Sequence, residues 1–185
     1  MAEPGVTTLP VEAASHAYYR PLHGAWRCAY DFAITDHTAL RSSAMGWLDR
    51  QRVLSMVWTP RLLGPLTLDT TVDYFTHGAS GVVLHTTRAS KWGIPLFSSA
   101  ETITLHENGT DFTLQGGQRM FPSFWRVRDF GDGRGTVDAS GTRASYTFAW
   151  LGTEMRQTTI ASGDTVTITQ ETAWSRGVQV LKRVR

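Results

Sequence analysis

The segment FSSAETITL, residues 97–105, sets a carboxylate among apolar neighbours. Alternate side chains of a strand share a face, and here Phe97, Ser99, Glu101, Ile103 and Leu105 do so. An inward carboxylate is costly unless it is paired, or else neutral with a raised pKa. Glu101 is therefore the first candidate for a general acid or base, or for the anchor of a polar ligand atom. The plainer alternative is an ion pair with an inward arginine, or a solvated strand end. His85, in GVVLHTT, is the second candidate. Val83 and Thr87 share its side while Val82, Leu84 and Thr86 form the other, so the pattern does not set its direction. A neutral imidazole there could relay a proton near neutral pH; a hydrogen-bonded structural histidine is the commoner case. His77, in FTHGASG, reads as a loop residue at a rim.

DFTLQGGQRMFPSFW, residues 111–125, is the most unusual polar segment. Phe112, Leu114, Gly116 and Gln118 alternate with Thr113, Gln115, Gly117 and Arg119. Two adjacent glycines inside a strand pattern signal a bulge or a close backbone approach. Gln115, a third candidate for catalysis, and Gln118 each offer a donor and an acceptor to a carbonyl-bearing ligand. Arg119 could pair with Glu101 or hold an anion.

Large rings supply the candidate ligand wall. HGAWRCAYDFAI, residues 23–34, puts Trp26, Cys28, Tyr30, Phe32 and Ile34 on one side. ASYTFAW does the same with Tyr146, Phe148 and Trp150. Trp125 is a further inward candidate, and Trp92, in a Gly/Pro loop, suits a lid or an opening. Core packing is the plain reading of all these rings, but seven Trp in 185 residues calls for either a broad core or a ring-lined cavity.

Several chemistries lack their residues. There is no His-x-His or His-Glu-x-x-His, and the six histidines have no compact metal-ligand spacing. Gly-x-Gly-x-x-Gly, Walker A and Gly-x-Ser-x-Gly are also absent from the sequence, so neither cofactor nor metal is expected. GDGRGTVDASG reads as turns. Cys28 is the only cysteine, which rules out an internal disulfide and leaves it a small buried hydrophobe. A net charge of +2, with basic residues gathered only in FWRVRDF and LKRVR, is too sparse for a nucleic-acid footprint. MAEPGVTTLPVEAASHAYYR does not read as a signal peptide, and no run approaches the roughly 18 apolar residues of a membrane helix. A cytoplasmic protein with no membrane or nucleic-acid partner is the expectation, with a homodimer left open.

The elements that must position these residues are mostly strands. Residues 1–22 are expected to be a tail with one short helix over 11–20, acting as a lid or a plug, and residues 23–185 a single β domain. After the first strand, AMGWLD and RVLSMVW are read as strands bounded by TPRLLGP. LTLDTTVDYF, GVVLHTTR, SSAETITL, DFTLQG, SFWRVRDF, ASYTFAW, EMRQTTI, TVTITQE and GVQVLKR follow. Turns are marked at ENGT, GDGRG, LGT and ASGD. No strand–helix alternation appears, which disfavours a parallel α/β sheet. The expected fold is all-β, a closed antiparallel barrel of about 8–10 strands with a short N-terminal helix, since closure removes sheet edges and leaves room for one small ligand. A sandwich is the alternative.

Gly24-Ala25-Trp26 at the start of the first strand resembles the Gly-x-Trp motif of lipocalins and the wider calycin group. That resemblance implies that Trp26 closes one end of a barrel and packs on a late basic residue, Lys182, Arg183 or Arg185. It also implies an apolar small-molecule ligand, and in some relatives isomerase or cyclase chemistry. The functional expectation is a cofactor-independent cyclase or isomerase acting on an apolar, natural-product-like molecule inside the barrel. Glu101, Gln115 and His85 would move a proton or polarise a carbonyl; Tyr30, Phe32, Trp92, Gln118, Arg119, Trp125, Tyr146 and Phe148 would line the site. The alternative is a non-catalytic, lipocalin-like binding protein for an apolar small molecule.

Overall fold

A computed structural model describes residues 22–63, 66–76, 82–106, 110–120, 125–127, 132–138 and 140–185. The alternation of the first strand, β1 (Gly24–Ile34), becomes real burial: Trp26, Cys28 and Phe32 are buried, and Arg27, Ala29, Asp31 and Ala33 are exposed. Two helices follow, α1 (His37–Ser42) and α2 (Trp47–Leu63). Asp36 caps α1, its Oδ1 accepting from the Thr38 and Ala39 amides at 2.8 and 2.9 Å, which satisfies two orphan donors of the first turn. Arg50 Nη2 donates to the Ser43 and Met45 carbonyls and so ties α2 to the end of α1.

The helix α2 corrects the sequence reading, which divided AMGWLD and RVLSMVW into two strands. Short apolar runs carry helix and strand periods equally well. Here the helical period wins. Val53 is fully buried, Met56 and Val57 lie partly buried on the turn after it, and Trp47, Leu48 and Trp58 are exposed. TPRLL is the last stretch of that helix rather than a break. The helix expected over 11–20 lies outside the described residues. Among those described, no helix is long and apolar enough to cross a membrane.

The remaining elements are strands: β2 (Leu66–Thr76), β3 (Val82–Lys91), β4 (Ile94–Leu105), β5 (Asp111–Met120), β6 (Trp125–Val127), β7 (Gly133–Val137), β8 (Arg143–Trp150), β9 (Thr153–Ser162), β10 (Thr165–Glu171) and β11 (Ser175–Arg183). Every pairing is antiparallel. The ring runs β1-β2-β3-β4-β5-β7-β8-β9-β10-β11 and returns to β1, with β6 added beside β5. The expected closed antiparallel barrel is present, with ten strands in the ring. The β3–β4 and β8–β9 hairpins use two-residue turns, Trp92-Gly93 and Leu151-Gly152, with positive φ at both positions, the backbone that matches strand twist.

GDGRG is another correction: Gly133–Val137 is a strand, not a turn. Its glycines serve packing. A Cβ on Gly135 would collide with the Phe112 ring and with Tyr146 Cβ, so the Phe112 ring lies over bare backbone. The glycine pair of β5 makes no bulge; its register with β4 is continuous through Gly116↔Glu101 and Gly117↔Ala100. Close approach is the reason for Gly116, since a Cβ there would meet the Ala100 carbonyl oxygen and stand 2.8 Å from Glu101 Cα. The register shift lies instead in β3, between Ala89 and Ser90.

Gly24 and Trp26 form the closed end. Trp26 is 1% exposed, and its indole N–H donates to the Leu22 carbonyl at 2.9 Å. The Arg183 guanidinium lies over its ring at 4.2 Å and donates to the His23 carbonyl at 3.0 Å. Gly24 has φ +128°, and a Cβ there would stand 2.9 Å from Arg183 Nη1. Glycine is needed both for its backbone and for the space Arg183 occupies. Trp26 thus packs on a late basic residue, Arg183, as expected from the sequence.

Candidate ligand-binding interior

Inside the ring are two adjoining chambers that share part of their lining. The narrow one, about 80 Å³, is closed by Leu22 and Trp26. The wide one, about 240 Å³, is walled by Cys28, Tyr30 and Phe32 of β1 and covered by Arg52, Ser55 and Met56 of α2. β1 therefore runs from the closed end past the narrow chamber and along the wide one. Thr70, Thr87, Phe97, Gln118, Gln170 and Gln179 border both chambers. The wide chamber is mostly apolar, with Leu68, Ala89, Leu96, Trp150 and Met155 completing its hydrophobic wall.

The narrow chamber holds a histidine–glutamate pair. His85 and Glu101 are cross-strand partners on β3 and β4, and His85 Nδ1 lies 3.3 Å from Glu101 Oε2. Their side chains are 14% and 15% exposed. Such a pair can hold or pass one proton, the imidazole tautomer setting which atom donates. Glu101 thus finds its partner in a histidine rather than in the arginine considered from sequence.

A belt of amides runs around the wall between the chambers. Gln179 Nε2 donates to Gln170 Oε1 at 3.2 Å, Gln170 Nε2 to Gln157 Oε1 at 2.7 Å, and Gln157 Nε2 to the Tyr146 hydroxyl. The Cys28 thiol points at Gln179 Oε1 at 3.9 Å, the reach of a weak donor. Burial pushes that thiol up to about 12. The Tyr30 phenol is also pushed up, by burial first and then by the charges of Cys28 and Asp31. Gln118 stands apart from the belt and accepts from the Trp150 indole N–H at 3.0 Å. Two buried hydroxyls, Thr70 Oγ1 and Thr159 Oγ1, have no hydrogen-bond partner among the described residues, a costly condition for a polar atom.

Most of the sequence candidates converge here, and some do not. Glu101, His85, Gln118, Tyr146 and Phe148 line the narrow chamber, and Tyr30 and Phe32 the wide one. Gln115 turns outward and donates to Asp132 Oδ1 at 2.8 Å on the exposed side; the unbroken register of β5 gives it the opposite face from Gln118. Arg119 is exposed for the same reason and does not pair with Glu101. Trp92, 75% exposed on the β3–β4 turn, lies under Lys91 Nζ at 4.9 Å and lines neither chamber. The Trp125 side chain and His77 lie outside the described residues. Sequence reading passed over Gln157, Gln170, Gln179 and Thr159, although each shares parity with an apolar residue two positions away: Met155, Ile168, Leu181 and Ala161 respectively. The signal was a glutamine on the inward parity of three successive strands.

No family model matches the sequence, and no curated relative does. Solved structures of similar outline include fatty-acid-binding protein 1 of Echinococcus granulosus, 10% identical, covering 90% of this chain and 99% of that one with a TM-score of 0.46. Another is the REP1-NXSQ fatty acid transporter, 9% identical, covering 90% and 98%, TM-score 0.44. A third is secretory abundant heat soluble protein 4 from Ramazzottius varieornatus, 13% identical, covering 89% and 96%, TM-score 0.45. At such identities and scores, what those proteins bind is a property of theirs alone.

Proposed function

We propose that this barrel binds a small apolar molecule in its wide chamber. The observation that carries the reading is the chamber itself: about 240 Å³, walled by rings and aliphatic side chains and covered by α2. Concave, mostly apolar space with a few placed polar groups is the usual form of a small-molecule site. Its volume is at the small end for such sites, enough for one ligand of modest size.

Gly177 provides the test. It lines the wide chamber, and a Cβ there would sit 3.5 Å from the Phe32 and Tyr30 rings, at ordinary contact distance. Leucine at 177 therefore fills the chamber. The neutral fluorophore N-phenyl-1-naphthylamine should bind the native protein saturably at one site and lose that binding in Gly177→Leu, with the far-ultraviolet circular dichroism unchanged. Equal fluorescence from both proteins, or none from the native one, rejects the reading.

A second reading, a cofactor-independent cyclase or isomerase, draws on one observation, the His85–Glu101 pair inside the narrow chamber. Its proton transfer would use those two residues without Gln115. A bound ketone should then exchange its α-hydrogens with D2O in the native protein and not in Glu101→Gln. Equal exchange in both removes this reading while leaving the binding one in place.

A further inference from the structure

The interior has a charge pattern of its own. No arginine or lysine among the described residues lines the narrow chamber. Arg52 is the single such residue at the wide one; it stands on the covering helix and pairs with Asp49 at 3.1 Å. At the inner end stands the Glu101 carboxyl group, with His85 beside it. The other polar side chains lining that chamber are amides and hydroxyls: the glutamine belt, Gln118, Tyr146, Ser99, and the Thr70, Thr87 and Thr159 hydroxyls.

A carboxylate carried into the narrow chamber would give up its hydration with no arginine or lysine among the described residues there to receive it and with Glu101 nearby, two penalties of the same sign. An ammonium would meet a carboxylate that already has a partner. A neutral oxygen meets neither difficulty. The belt amides are already linked head to tail, whereas Thr70 Oγ1 and Thr159 Oγ1 are buried without partners among the described residues, at residues 5% and 1% exposed. Thr70 borders both chambers and Thr159 lines the narrow one. A hydroxyl can donate to a carbonyl and accept from an alcohol, so both classes of neutral oxygen are served.

We infer that the ligand of this barrel carries an uncharged oxygen, a hydroxyl or a carbonyl, at its inner end, where Thr70 and Thr159 receive it, and that the same site rejects carboxylates and ammonium groups. This rests on the binding reading above and specifies the class of molecule. The apolar body occupies the wide chamber against Tyr30, Phe32 and Met155. The two hydroxyls supply the polar contact at the border between the chambers and beyond it. Keeping them unpaired in the protein costs stability, a cost typical of functional sites.

The experiment compares decan-1-ol, decan-2-one, decanoate and decylammonium as competitors of N-phenyl-1-naphthylamine at a pH of about 8, where the acid and the amine are charged. Decan-1-ol and decan-2-one should displace the fluorophore at concentrations at least about tenfold lower than the two ions. In the double variant Thr70→Val/Thr159→Val the affinities of the two neutral ligands, each taken relative to that of the fluorophore for the same protein, should fall by about tenfold or more. Thermal stability should be unchanged or higher in that variant, because buried orphan hydroxyls are removed. Thr70→Ser/Thr159→Ser keeps both hydroxyls and should retain the preference. Decanoate or decylammonium binding as tightly as the alcohol overturns the inference, as does a valine variant with native alcohol affinity. In both of those cases the fluorophore still binds, so the binding reading survives. Failure of the fluorophore to bind the native protein overturns both.

Discussion

Cys28 shows how far one residue's chemistry is set by its place. On sequence it is a lone cysteine on the apolar side of a strand; in the barrel it is 1% exposed, and its thiol is pushed up from 9.0 to about 12 by burial. A folded-state pKa above the unfolded one means that the folded protein holds the proton more tightly. The stabilisation is complete below about pH 9 and is lost as pH rises toward 12. Denaturant midpoints should fall above pH 9, with this thiol contributing up to about 1.4 kcal/mol per pH unit. In Cys28→Ala that component of the slope should vanish, the remainder coming from groups such as Tyr30; an identical slope in both proteins counts against the buried thiol. Glu101 was legible at this same scale, because parity alone turned it inward. His85 was not, since apolar residues flank it on both parities and only pairing with β4 chose its direction.

At the scale of elements, short runs were ambiguous and close approaches invisible. RVLSMVW satisfies a strand and a helix alike, and what decides for α2 is the barrel it covers, against which Val53 is fully buried. Asp36 was an available sign of a helix start, and its removal is measurable. Asp36→Ala should cost about 1 kcal/mol of unfolding free energy by losing the α1 cap, read as a lower urea midpoint at unchanged slope. Gly116 should matter more. Ala at 116 drives a Cβ against the Ala100 carbonyl and the Glu101 backbone, neither of which is a flexible side-chain end. A loss of about 2–4 kcal/mol is expected, and a native-like midpoint for Gly116→Ala would show that β4 and β5 have room the structure denies them. The sequence marked this glycine pair as either a bulge or a close approach, and only the pairing with β4 distinguishes the two.

At the scale of the whole molecule, the ring is closed twice: around its girth by the β4–β5 pairing, and at its end by Trp26 under Arg183. Arg183→Met keeps the aliphatic stem and removes the cation and its donor to the His23 carbonyl. Stability should drop by about 1–2 kcal/mol, measured by thermal or urea unfolding. Affinity for N-phenyl-1-naphthylamine should stay native, because the wide chamber lies farther along β1 than Trp26; lost affinity would place the ligand at the closed end instead. Alternation and turn residues determined by themselves that this chain is built mainly of short antiparallel strands and which face of most of them turns inward, since those are consequences of a period of two and of local backbone preference. Tertiary structure alone decided that α2 covers one end, that Gln115 turns out while Gln118 turns in, and that three distant glutamines join one belt. Each of those depends on which strands become neighbours, and neighbourhood is a property of the closed ring that no single segment carries.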